Sequence, residues 1–99
     1  NKQDKYGNTA LMLANNIDIR KLLLGHPTIN VNLQNNDGNT ALMLANNINI
    51  CKLLLGHPTI NVNLQNNDGN TALMLANNIN ICKLLLGHPT INVNLQNND

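Results

Sequence analysis

Asp37-Gly38-Asn39-Thr40-Ala41-Leu42-Met43-Leu44-Ala45 holds a stop signal, a start signal and a short helix in consecutive residues. Glycine reaches positive φ at little cost, so Asp37-Gly38-Asn39 reads as a turn. Thr40 is placed to cap the next helix, its hydroxyl accepting a backbone N–H that has no intrahelical partner. Ala41 to Ala45 then forms a first helix whose alanines allow close approach of a neighbour, and Asn46-Asn47 breaks it. Asn49-Ile50-Cys51-Lys52-Leu53-Leu54-Leu55 predicts a second helix over about 49–55. Gly56 is its expected C′ stop, Pro58 cannot continue it, and Lys52 sits near the end that favours a cation. Ile60-Asn61-Val62-Asn63-Leu64 alternates apolar and polar, as an extended arm does, but is too short to demand a strand.

The same pattern recurs along the chain. Residues 38–68 and 69–99 are identical, and 7–37 differs from them only in having Asp18 for Asn49 and Arg20 for Cys51. Residues 1–6 supply a partial N-terminal finger, and 1–99 reads as one domain. A period of 31 residues signals a solenoid whose units bury a shared core by stacking, since helices this short are marginal alone. The fold class is therefore an all-α helical-repeat solenoid of helix-turn-helix units joined by extended fingers. Lys2 stands where the next unit has Leu33, and Arg20 where it has Cys51, which predicts a polar outer face on the first unit. Cys82 and Leu95 show no such change. The chain therefore reads as a piece of a longer array, or as one whose uncapped C-terminal repeat is covered by a partner or by another copy, end to end.

Composition excludes several function classes. Six basic and five acidic groups give a net charge of +1, without the clustered cations that nucleic acid requires. The apolar runs fall far short of the roughly 20 residues that span a bilayer, and an anionic membrane patch is equally unsupported. Cys51 and Cys82 each lie inside a helix one period apart, so they read as free core thiols rather than a disulfide pair. That usage favours a reducing, intracellular compartment such as the cytoplasm. His26, His57 and His88 recur at the stacking distance of helices, about 10 Å, whereas zinc ligands converge at about 2 Å. Neither cysteine has an evident base, and no phosphate loop, paired-carboxylate or calcium-loop pattern occurs. No metal, cofactor or catalytic residue is expected, and the chain does not read as an enzyme. Asparagine supplies 24 of the 99 residues and reads as the solvated polar background of a folded repeat.

Asp4-Lys5-Tyr6-Gly7-Asn8-Thr9-Ala10-Leu11, Gly38 to Ala45 and Gly69 to Ala76 resemble the opening of an ankyrin repeat, Asp-x-x-Gly-x-Thr-Pro-Leu-His-x-Ala. Ile50 to Leu55 and Ile60 to Asn63 are similar to that family's second helix and its approach to the next finger. The departures are specific. The unit is about two residues shorter than the usual 33, with a deletion near Asn46-Asn47 that costs nearly a helical turn. Ala10, Ala41 and Ala72 replace the usual Pro. Met12, Met43 and Met74 replace the usual His and remove a polar tie, and Asn35 and Asn66 replace the Asp that survives as Asp4. A weaker turn network is the expectation.

The resemblance implies a non-catalytic protein–protein interaction module, with finger tips and the exposed face of the first helix as the contact surface. Those places hold Lys5, Tyr6, Asn8, Asn36, Asp37, Asn39, Met43, Asn46, Asn67, Asp68, Asn70, Met74 and Asn77. Tyr6 is the best anchor, because tyrosine offers rigid contact area at low entropic cost. The competing reading is a structural spacer or idealised array with no dedicated partner, favoured by the identity of two units.

Overall fold

The computed structural model describes residues 1–14 and 16–98. Six helices alternate short and long: α1 Ala10–Leu13, α2 Ile17–Leu24, α3 Ala41–Leu44, α4 Ile48–Leu55, α5 Ala72–Leu75 and α6 Ile79–Leu86. Each short helix packs on the longer one of its own repeat. The short helices form one row (α1, α3, α5) and the long ones another (α2, α4, α6). The architecture is the all-α repeat solenoid expected, with no strand among the described residues. The alternating arm is built of turns. Its alternation decides burial instead, with Val62 1 % exposed between half-buried Ile60 and Leu64.

The deletion near Asn46-Asn47 leaves the first helix a single turn of four residues. A helix this short has no hydrogen-bond cooperativity of its own, so its ends carry it. Thr9, Thr40 and Thr71 accept from the backbone N–H three residues on, through their hydroxyls. The expected loss of a polar tie at Met12 and Met43 does not occur. Their Sδ atoms accept from the N–H of Thr9 and Thr40 at 3.5 Å, closing a capping box with a thioether where Glu or Gln is usual. Sulfur is a weak acceptor, but the site is shielded and the partner N–H would otherwise be unpaired. Asn47 both ends the first helix region and caps the second by accepting from Asn49 N–H, so α4 begins at Ile48 rather than near 49.

Two other expectations need adjustment. Gly25, Gly56 and Gly87 do stand at the helix stops, but not with left-handed backbone, for their φ angles are −78°, −78° and −80°. The helices end because Pro58 and its equivalents, two residues on, have no N–H to give. A tight turn comes next, in which Ile60 N–H donates to the His57 carbonyl at 3.2 Å. Nor does the first unit present Arg20 to solvent. Arg20 is buried, and its Nε donates to the Ala14 carbonyl at 2.6 Å. Cys51 and Cys82 point their sulfurs at the equivalent carbonyls of Ala45 and Ala76, at 4.0 and 3.9 Å. This register position thus supplies a donor to the carbonyl left over where the short helix ends. Burial lowers the Arg20 pKa against the opposing influence of the Cys51 sulfur, and raises that of Cys51 against the opposing influence of the guanidinium. The exposed large apolar residues of the first unit, among those described, are Leu13, Ile19 and Leu22.

Candidate functional site

The finger of each repeat is a turn whose glycine has φ of +80° at Gly7, Gly38 and Gly69. At Gly38 an added Cβ would lie 2.6 Å from Asn67 Oδ1 and 2.7 Å from Asn67 N, so the next finger packs directly on the glycine. The glycine therefore serves both the turn and the stack. Asn36, Asn67 and Asn98 donate their backbone N–H to the carbonyls of Tyr6, Asp37 and Asp68 in the preceding finger, at 2.9–3.0 Å. The side-chain amides of the same residues donate to the carbonyls of Lys5, Asn36 and Asn67.

The turn network is fuller than the lost Asp suggested. Asn35 Oδ1 accepts from the N–H groups of Asp37 and Asn39, as Asp4 Oδ1 does from those of Tyr6 and Asn8. Asparagine adds what aspartate cannot, a donor. Asn35 Nδ2 reaches Asn8 Oδ1 at 3.0 Å, and Asn66 Nδ2 reaches Asn39 Oδ1 at 2.9 Å, each in the preceding repeat. Gln34 Nε2 bridges the carbonyls of Gly38 and Gln65, and Asn32 holds Thr59 O and Asn61 N–H of the following repeat. The finger and arm asparagines thus form a lattice of inter-repeat bonds, while Asn46, Asn49, Asn77 and Asn80 remain exposed polar background. The signal was available in the sequence, as these amides keep a fixed register with the glycines. Among the described residues, no buried side-chain nitrogen or oxygen lacks a partner.

This accounting sorts the candidate surface residues. The side chains of Asn8, Asn36, Asn39, Asn67 and Asn70 are engaged in the stack, Asn70 Oδ1 taking Asn97 Nδ2 at 3.1 Å. Tyr6, Asp37 and Asp68 occupy equivalent positions at successive finger tips, exposed, and their side chains accept or donate no hydrogen bond among the described residues. Lys5 Nζ lies 5.1 Å from the Tyr6 ring centroid, within cation–π range. Met43 is half-buried with its sulfur in the helix cap, Met74 is 38 % exposed, and Asn46 and Asn77 are exposed at the ends of the short helices. Between α3 and α5 these last residues rim a small cavity of about 110 Å³, floored by Leu42, Ala72 and Ile81.

A family model described as ankyrin repeats, in three copies, matches residues 15–97. The chain belongs to the ankyrin-repeat family. No curated protein matches it. Ankyrin repeats generally mediate protein–protein interaction and are typically non-catalytic. Among the described residues no three His, Cys, Asp or Glu side chains gather as metal ligands do, and no helix is long and apolar enough to cross a membrane. Cys51 is fully buried and Cys82 half-buried, both as free thiols.

Proposed function

We propose that this ankyrin array is a non-catalytic interaction module that holds an intracellular protein partner on its finger tips and first-helix face. The observation that supports the reading is the division of labour along the fingers. The amides beside each tip are committed to stacking, while Tyr6, Asp37 and Asp68 project unpaired on that rigid support. Rigid presentation lowers the entropy lost on binding, and Tyr6 with Lys5 over its ring supplies an aromatic anchor of the kind that dominates interfaces. The test is affinity capture with the array and with a Tyr6→Ala, Asp37→Ala, Asp68→Ala variant, whose changes leave the stacking bonds intact. A specific partner retained by the parent and lost by the variant is expected; equal capture by both sinks the finger-tip assignment.

The spacer reading gains from the same lattice, since most of the fixed-register amides serve neighbouring repeats, and capture of nothing by the parent array selects it. End-to-end association of the isolated chain is a further part of the proposal. Ile79, Leu86 and Val93 are 70 %, 52 % and 58 % exposed, where Ile48 and Leu55 of the preceding repeat are half-buried and Val62 is buried. Sedimentation across a concentration range checks it, a strictly monomeric species ruling it out.

A further inference from the structure

Lys21, Lys52 and Lys83 occupy one register position in the last turns of α2, α4 and α6, and all three are exposed. None has a hydrogen-bond or ion-pair partner among the described residues. Between them lie two equivalent grooves, of about 430 Å³ between α2 and α4 and about 390 Å³ between α4 and α6. The first is walled by Lys21 and Lys52, with Leu24, Leu53 and Pro58 supplying apolar surface and His57 at its edge. Lys52 serves both grooves, so the row reads lysine, apolar groove, lysine, apolar groove, lysine.

The histidine adds a donor. Thr59 N–H donates to His57 Nδ1 at 3.2 Å, and Thr90 N–H to His88 Nδ1 at the same distance. A ring nitrogen that accepts carries no proton, so the neutral ring holds its proton on Nε2. Each groove is therefore bordered by two ammonium groups and an imidazole N–H, with no carboxylate paired to any of the lysines. The helix C-termini at this edge oppose an anion with about half a charge each, which the full charge of each lysine exceeds.

We infer that this edge binds an acidic peptide segment in the polyproline II conformation, carrying carboxylates at every third residue. Packed helices lie 8–10 Å apart, and a polyproline II segment rises about 3.1 Å per residue with three residues per turn, so every third side chain lies on one face. Three residues therefore span one repeat. Asp or Glu at positions 1, 4 and 7 of such a segment meets Lys21, Lys52 and Lys83 in turn, while apolar residues between them enter the grooves. This surface is separate from the finger tips, and its partner need not be the one held there.

The probe is a synthetic nonapeptide with Glu at its first, fourth and seventh positions and Pro between, compared with a peptide of the same composition whose three Glu are consecutive. Titration at low salt is expected to show tighter binding of the spaced peptide, weakening as salt screens the pairs. Each Lys→Gln change at 21, 52 or 83 should weaken it roughly two- to fivefold, as exposed ion pairs do, and the triple variant more than about tenfold. Tyr6→Ala should leave it unchanged, which separates this result from the fate of the finger-tip reading. Circular dichroism verifies that the lysine variants remain folded, as exposed sites should. Equal binding of the two peptides, no binding of either, or undiminished binding by a folded triple variant overturns the inference.

Discussion

The second and third repeats have the same sequence and different environments. Val62 is 1 % exposed and Val93 is 58 %; Cys51 is fully buried while Cys82 is half-buried; Met43 is half-buried and Met74 opens to 38 %. The long helix runs the other way at one position, for Ile81 is 6 % exposed whereas Ile50 is half-buried. Identical residues thus contribute differently because a repeat's arm and first helix are covered by the next repeat; that cover does not explain the deeper burial of Ile81. In a solenoid the interface between units is a stabilising element in its own right. Burial belongs to that interface rather than to the residue.

The comparison breaks most severely at the finger glycine. Gly38→Ala forces a side chain into φ of +80° and against Asn67 Oδ1 at 2.6 Å, and should cost about 2–4 kcal/mol in urea unfolding. Gly56→Ala meets only ordinary contacts, at 3.4 Å or more with a right-handed φ, and should be neutral or slightly stabilising. Equal losses at the two positions would refute the stacking role of the finger glycine. A second pair tests burial at constant sequence context. Val62→Ala should cost about 2 kcal/mol, and Val93→Ala less than about 0.5 kcal/mol, measured by the same unfolding curves.

A smaller effect separates the donor from the acceptor at the turn. Asn66→Asp keeps the oxygen that accepts from Asp68 and Asn70 N–H but removes the donor to Asn39, and should cost about 1 kcal/mol. The smallest perturbation is chemical. A thiol reagent should modify Cys82 at least about tenfold faster than Cys51, because Cys51 is fully enclosed and its burial raises its pKa, both of which suppress the thiolate. The raised pKa also carries a sign: stability contributed by the Cys51 thiol is present below its unfolded pKa of about 8.5 and is lost as pH rises through the higher folded value. Matching labelling rates would show that the third repeat is closed over as the second is.

Much of the fold was legible because each repeat carries strong local punctuation. Gly38 at positive φ, Thr40 as a cap and Ala41 as the first helical residue are decided within a few residues of chain. The features that escaped were non-local. Met43 looked like the loss of a polar tie, yet its sulfur finds the Thr40 N–H once a helical turn brings them together. Asn35 looked like a weakened Asp, since the value of its amide hydrogens depends on Asn8 in another repeat. Arg20 looked like part of a polar outer face and is instead buried on the Ala14 carbonyl. On the candidate surface, Tyr6 could be singled out by its chemistry, whereas the engagement of Asn39 and Asn70 in stacking could not be told from the freedom of Asp37 and Asp68.

The sequence by itself determined the period, the placing of turns and caps, the two-helix unit and its ankyrin family, because backbone preference and apolar spacing act over short range. Only the tertiary structure decided which of the many asparagines hold repeats together, which of two identical valines lies in the core, and which lysines line up beside grooves. Those outcomes depend on distances between residues about one period apart in the chain. Such distances exist only once one repeat has packed on the next.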